Sequence, residues 1–160
     1  MKKILAILAI LAFSQAKADQ SNPVIYGIGV ETTYIEGVQF NKCERLRVGA
    51  MTNGWTLSTT YVPFNNECEG IKNGYKFKSD QKSITLGRML YQSCGGRFCK
   101  QAGFSVSDVR DKPLNDHFTQ WHVVGSALDT RTGLAVFVSL GEKQGAFTST
   151  LGVYYTFGDK

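Results

Sequence analysis

The feature that most restricts this chain is strand-type alternation in segments with no charge on either face. In the last such segment Phe147, Ser149, Leu151, Val153, Tyr155 and Phe157 fall on one side, and Thr148, Thr150, Gly152, Tyr154 and Thr156 on the other. A period of two marks a β-strand. The stretches 55–63, 101–107, 118–128, 132–141 and 145–157 contain no Asp, Glu, Lys or Arg. A soluble sheet hides its apolar face and needs charge on the other. Here the second face carries mainly Gly, Ser, Thr and Gln, which suits the filling of a narrow barrel better than a solvated exterior.

Seven further segments share the alternation. Val24, Tyr26, Ile28 and Val30 alternate with Ile25, Gly27, Gly29 and Glu31. Leu46, Val48 and Ala50 alternate with Arg45, Arg47 and Gly49, and Trp55, Leu57, Thr59 and Tyr61 with Thr56, Ser58 and Thr60. Ile84, Leu86 and Leu90 follow, then Ala102, Phe104 and Val106, then Trp121, Val123, Gly125 and Ala127, then Leu134, Val136, Val138 and Leu140. The expected fold is all-β: an eight-stranded antiparallel up-and-down transmembrane barrel, apolar face to lipid, closed so that every backbone group is paired. Trp55, Tyr61, Phe147, Tyr155 and Phe157, near strand ends, would form interfacial girdles. Arg88 is out of keeping, because its alternation aims it at lipid; snorkelling or a bulge would relieve it.

The gaps between segments fit a barrel that starts at the periplasmic side. Outer gaps at Glu36–Cys43, Phe64–Lys82 and Ser107–Asp116 are medium or long, and that at Glu142–Gly145 is short. Inner gaps at Thr52–Gly54, Gly95–Arg97 and Asp129–Gly133 are tight. Ahead of them stands an export leader over residues 1–18. Lys2 and Lys3 precede an apolar run from Ile4 to Phe13, and Ala16-Lys17-Ala18 offers a cleavage site. The run is shorter than the roughly 20 residues a spanning helix needs. Residues 19–160 then form one domain. Three of the 18 basic residues belong to the leader, leaving 15 against 13 acidic ones. That balance gives no reason to expect nucleic acid.

Four cysteines, Cys43, Cys68, Cys94 and Cys99, lie in the exported part. An oxidising compartment makes two disulfides the expectation, and the spacing offers no zinc site. The topology places Cys43 and Cys68 at the outer rim and Cys94 and Cys99 beside an inner turn. The apolar band between the rims is about 25 Å tall, far beyond the roughly 4.4–6.8 Å between Cα atoms that a disulfide tolerates. The expected pairs are Cys43–Cys68 and Cys94–Cys99, with no metal and no cofactor.

At the C-terminus Thr150, Gly152, Tyr155 and Phe157 resemble the β-signal of outer-membrane barrels, a polar residue, a glycine and two spaced aromatics. The family usually ends on the last aromatic, whereas Gly158-Asp159-Lys160 follow here. The exported chain as a whole is similar in architecture to the small eight-stranded barrels of the OmpA-like and OmpX/Ail-like kind; no motif selects a subfamily. The resemblance implies outer-membrane localisation and contact with the barrel-assembly machinery, outer-membrane lipid and lipopolysaccharide.

Charged residues inside such a barrel must pair, so Glu31, Arg45 and Arg47 are expected to form a lumen network of structural kind. His122 and Ser126 share a strand face but stand about 13 Å apart, too far for direct activation. Asp116 and His117, at the mouth of the third outer loop, are better acid–base candidates. The second outer loop brings together Lys72, Tyr75, Lys76, Phe77 and Lys78 with Cys68, a surface for an extracellular partner or for lipopolysaccharide phosphates. Three functions therefore stand: a filled surface barrel with an envelope or interaction role, a lipid A-modifying acyltransferase or deacylase, and a periplasmic lipocalin-like carrier of a hydrophobic ligand.

Overall fold

The computed structural model describes residues 24–62, 68–112, 115–143 and 145–158. The expected leader lies outside the described residues, as do positions 63–67 of the second outer loop. Among the described residues there are eleven strands: β1 (Ile25–Ile35), β2 (Val38–Lys42), β3 (Glu44–Thr52), β4 (Trp55–Tyr61), β5 (Cys68–Lys72), β6 (Tyr75–Ser79), β7 (Gln81–Gly95), β8 (Phe98–Asp111), β9 (Asp116–Asp129), β10 (Leu134–Lys143) and β11 (Ala146–Gly158). Eight of them, β1, β3, β4 and β7 to β11, each pair with the next, and β11 pairs back onto β1. The result is a closed eight-stranded antiparallel barrel.

Closure is staggered. A sideways path from Ile25 through directly opposed residues runs by Met51, Thr56, Gly87, Ser105, His122, Gly141 and Thr148. It returns to β1 at Ile35, ten residues farther along. Such a shear tilts the strands by roughly 40°. The start of β1, the end of β11 and the turns after β3, β7 and β9 share one rim, called here the lower rim. Thr52 opposes Trp55 across Asn53-Gly54, both at positive φ (46° and 72°). That two-residue turn matches the twist of the flanking strands.

At the upper rim the gaps read as loops contain structure. β2, β5 and β6 form a three-stranded extension continuous with β1. A second Asn-Gly turn, Asn73-Gly74, closes its β5–β6 hairpin. β8 and β9 run on to Asp111 and from Asp116, so the third outer loop is far shorter than the interval 107–116 suggested.

The wall is inverted relative to a soluble barrel. Val123, Trp121, Leu151 and Tyr155 are 68%, 62%, 55% and 53% exposed, while Thr148, Thr60 and Thr150 are 1%, 2% and 6% exposed. All the segment faces led by Ile28, Val48, Ile84, Phe104, Val136 and Val153 point outward. The aromatics divide between two levels. Tyr26, Trp55, Tyr155 and Phe157 ring the lower rim, with Tyr26 and Phe157 stacked at 5.9 Å, and Tyr34, Tyr61, Trp121 and Phe147 lie towards the upper one. A carrier with an apolar interior and charged exterior would show the reverse.

Arg88 resolves through both routes expected of it. The register of β7 slips between Met89 and Tyr91. The guanidinium of Arg88 lies 5.1 Å over the Trp55 ring and donates to the Asn53 carbonyl in the lower turn.

Candidate functional site

The lumen differs along its length. In the upper half the inward side chains are polar and buried. Glu31 on β1 faces Arg45 on β3 across the ladder. Its carboxylate accepts from Arg45 at 3.0 Å and from Arg47 at 2.9 Å. Arg47 also donates to Ser58 through Nε and Nη2 at 2.9 and 2.8 Å. Arg45 donates to Thr33 and, at 3.4 Å, to Gln81. Gln81 in turn donates to Asp111, which accepts from Ser79 at 2.5 Å and from the Asp80 backbone at 3.3 Å. Two guanidiniums and two carboxylates thus balance in one connected network, the condition under which buried charge is tolerable. The expected Glu31–Arg45–Arg47 cluster is brought together. Gln81 and Asp111 were missed because both fell in intervals read as loops.

Just below Asp111 and Asp116 on their own strands, the upper lumen also holds apolar side chains. Ile35, Val109 and Phe118 are buried, and Lys143 places its ammonium 3.9 Å from the Phe118 ring and 3.9 Å from Asp116. Below it Arg47 stacks on Phe137 at 5.2 Å and Tyr154 at 5.9 Å, and those two rings stack at 4.7 Å. Gly152 makes room for this knot, because a Cβ there would run into the Phe137 ring.

In the lower half the inward residues change character. Ile25, Gly27, Met51, Met89, Val124, Ser126 and Leu128 are only half-buried; Gln101, Ala135 and Phe137 are buried among them. The mainly small and polar filling expected from the sequence is joined here by apolar side chains: Met51 beside a turn, Met89 beside a bulge, and Val124 and Phe137 in mid-strand. A cavity of about 180 Å³ threads the lumen.

The acid–base candidates separate. Asp116 turns inward to Lys143, whereas the adjacent His117 turns outward, since neighbours on a strand point to opposite faces. His117 instead meets Asp108 of β8, Nε2 to Oδ1 at 2.5 Å. His122 points into the lumen, where its Nδ1 is buried with no hydrogen-bond partner among the described residues. Ser126, lower on that face, donates to Gln101 at 3.2 Å. No group of three His, Cys, Asp or Glu side chains gathers among the described residues.

The cysteines join as Cys43–Cys68 and Cys94–Cys99, with Cα separations of 4.7 and 4.0 Å. The first ties the extension to the barrel; the second spans directly opposed residues in the β7–β8 hairpin. The extension divides the residues grouped as one contact surface. Lys72 opposes Tyr75 and Gly70 opposes Phe77, which puts Lys72, Tyr75 and Phe77 on one face. Lys76 and Lys78 share the other with Ile71 and Glu69. Another basic row was not foreseen: Lys82, Arg110 and His117 stand side by side on β7, β8 and β9, outward and just above the apolar belt. Of the C-terminal signal, Thr150 and Gly152 face the lumen and Tyr155 and Phe157 face out, 6.5 Å apart.

No family model matches the chain, and no curated protein matches it. Among solved structures it superposes on the crystal structure of Ail, the attachment invasion locus protein of Yersinia pestis, with a TM-score of 0.38 at 11% identity. It also superposes on Ail in complex with the heparin analogue sucrose octasulfate, with a TM-score of 0.39 at 12% identity. Each superposition covers 85% of this chain and 97% of that one. The barrel assignment rests on the strand register.

Proposed function

We propose that the protein is a bacterial outer-membrane barrel with a structural or loop-mediated role at the cell surface. One observation carries this reading: a closed barrel whose outside is a largely apolar belt and whose upper lumen holds a charge-balanced network. An exposed apolar surface of that extent is untenable in water and natural in lipid. The lower rim then faces the periplasm and the β2–β5–β6 extension faces outward. A lumen crossed by this network is obstructed, so the exposed extension and the basic row are the parts left to meet partners. The row Lys82–Arg110–His117 lies where lipopolysaccharide phosphates would sit, and Arg and Lys suit such oxygens. The leader and the C-terminal signal fit export and barrel assembly.

The test is gel mobility of the protein in isolated outer membranes, boiled against unboiled, without reductant. An outer-membrane band that runs faster unboiled is expected. A soluble band without a mobility shift would overturn the reading.

A second reading, a lipid A-modifying enzyme, is favoured by the His117–Asp108 pair at the outer edge of the belt. A histidine held by a carboxylate is part of a base for activating a hydroxyl. Lipid A mass spectra from cells with the wild type and with His117→Ala decide it. A mass change that only the wild type produces would establish the enzyme.

A further inference from the structure

At the lower rim the strands do not all stop at one level. β4 pairs with β7 as far as Trp55 opposite Arg88, and the Met89 amide then donates to the Gly54 carbonyl in the β3–β4 turn. From there β7 runs on to Gly95 with β8 as its one partner among the described strands. Residues 90–98 of this projecting hairpin are exposed, Leu90 at 72% and Tyr91 at 59%. Past the register slip at Leu90 the pairing is regular over residues 91–95. Gly96 and Arg97 make a two-residue turn, so Gly95 and Phe98 exchange both backbone bonds and the ladder alternates from there. Cys94 and Cys99, 4.0 Å apart at Cα, take the close, non-bonded place. Ser93 and Lys100 then bond, and Gln92 and Gln101 do not. The backbone N–H and C=O groups of Gln92 and Cys94 therefore point away from β8, into the space beneath the β3–β4 turn.

Edges of this kind are ordinarily blunted by lysine, proline or a covering loop. Residues 89–95 contain no charged residue and no proline. The Cys94–Cys99 disulfide clips this edge to β8 where no strand supports it from the other side, which holds it extended in advance of any partner. The surrounding charge selects that partner. Arg88, Arg97, Lys100 and Arg131 stand at this rim, with Asp129 the single carboxylate there among the described residues, and Asp129 is held by Arg97 at 2.5 Å. Lys100 is exposed and opposite Ser93, whose short side chain leaves it within reach from beyond β7. A second copy of this chain would bring the same cations, and antiparallel pairing of two β7 edges would stand one barrel upside down in the membrane.

We propose that residues 91–95 are a strand-addition site for an extended acidic segment of another polypeptide, bound through the backbone groups of Gln92 and Cys94, with a carboxylate beside Ser93 reaching Lys100. That the partner is periplasmic rests on the membrane orientation given above; the edge belongs to the barrel in either orientation.

The experiment titrates the full mature protein, isotope-labelled and folded in detergent micelles, with a short capped peptide of alternating Val and Glu, and follows amide hydrogen exchange by NMR. Exchange at Gln92 and Cys94 should slow by roughly tenfold or more at saturation, as for amides that gain a strand partner. The same peptide N-methylated at alternate residues keeps its side chains, loses its donors and should protect neither amide. Lys100→Ala should weaken binding about two- to fivefold, the worth of an exposed ion pair. Gln92→Pro removes one outward N–H, a change that an edge strand accommodates, and should abolish protection at Cys94. Should that variant not fold, the N-methylated peptide makes the same test on the unaltered protein. Equal protection by the N-methylated peptide, or protection confined to residues outside 91–95, overturns the site, and binding unchanged by Lys100→Ala overturns the acidic partner. Slow exchange at Gln92 and Cys94 before any peptide is added also overturns it: dependence on protein concentration would assign the edge to a second copy, and independence to another part of the same chain. No protection by peptide, with a Lys100 resonance that shifts when phosphatidylglycerol is added, overturns it in favour of lipid headgroups. The mobility test above judges the membrane reading and this one the edge, so the two fail separately.

Discussion

The upper and lower halves of the lumen are built from the same eight strands, yet one is crossed by paired charges and the other is lined by small and apolar side chains. Above, Glu31, Arg45, Gln81 and Asp111 are linked in sequence by an ion pair and hydrogen bonds inside the barrel. Below, Gly27 and Ser126 share the lumen with half-buried Ile25, Met51 and Leu128. The difference shows how a narrow barrel divides its tasks: charge pairing across the lumen fixes the upper cross-section, and the freedom left below costs little because no buried charge depends on it.

The largest expected effect breaks the charged half. Glu31→Ala strands two buried guanidiniums, and removing one partner of a buried ion pair costs about 3–5 kcal/mol. Urea titration followed by loss of the fast-migrating folded band should show it, and a midpoint unchanged from the wild type would mean the network carries no load. Next comes Cys43→Ser together with Cys68→Ser. Opening a loop of 25 residues removes about 3 kcal/mol of constraint on the unfolded chain in the entropy model. The loss should fall on the extension, so limited proteolysis should cut within 65–82 while the barrel band persists.

Between the halves, Gly152→Leu forces a side chain into the Phe137 ring. Overpacking of this kind costs about 1–3 kcal/mol. Refolding into detergent in vitro, where the assembly machinery is absent, separates this packing effect from a damaged assembly signal. The smallest effect sits at the lower rim, where Arg97 donates to Asp129 at 2.9 and 2.5 Å. The Arg97 hydrogen bonds hold the Asp129 carboxyl well below the usual carboxylate range. A depressed value in the folded state adds stability above the unfolded value of about 4, and that stability is lost as pH falls from there towards the folded value. The midpoints of wild type and Arg97→Gln should therefore differ slightly at pH 7 and converge in acid. A gap that widens in acid would reverse the assignment.

The belt was legible in the sequence because a wall that contacts lipid must repeat the same choice at every second residue. The Glu31 cluster was legible for a related reason, since a charge inside such a wall has few places to go. What stayed hidden depended on register. Asp116 and His117 look like neighbours in sequence, but the strand sends them to opposite sides, and His117 finds Asp108 nine residues back. The row of Lys82, Arg110 and His117 exists only once three strands are aligned. β5 and β6 are five residues each, too short for alternation to speak, although Asn73-Gly74 between them carried the same turn signal as Asn53-Gly54. The inward Met51 and Met89 sit where the regular pattern gives way, beside a turn and a bulge.

The seam between β1 and β11 gives the molecule a history as well as a shape. Ile25 through Ile35 pair with Gly158 back to Thr148, so β1 must wait for β11, which is synthesised much later. Bringing such remote segments together is entropically slow. Until they meet, both carry a row of unsatisfied backbone groups that would template any passing strand. A chain truncated before residue 146 is therefore not a barrel with one plank missing: it keeps two open edges that nothing within it can close.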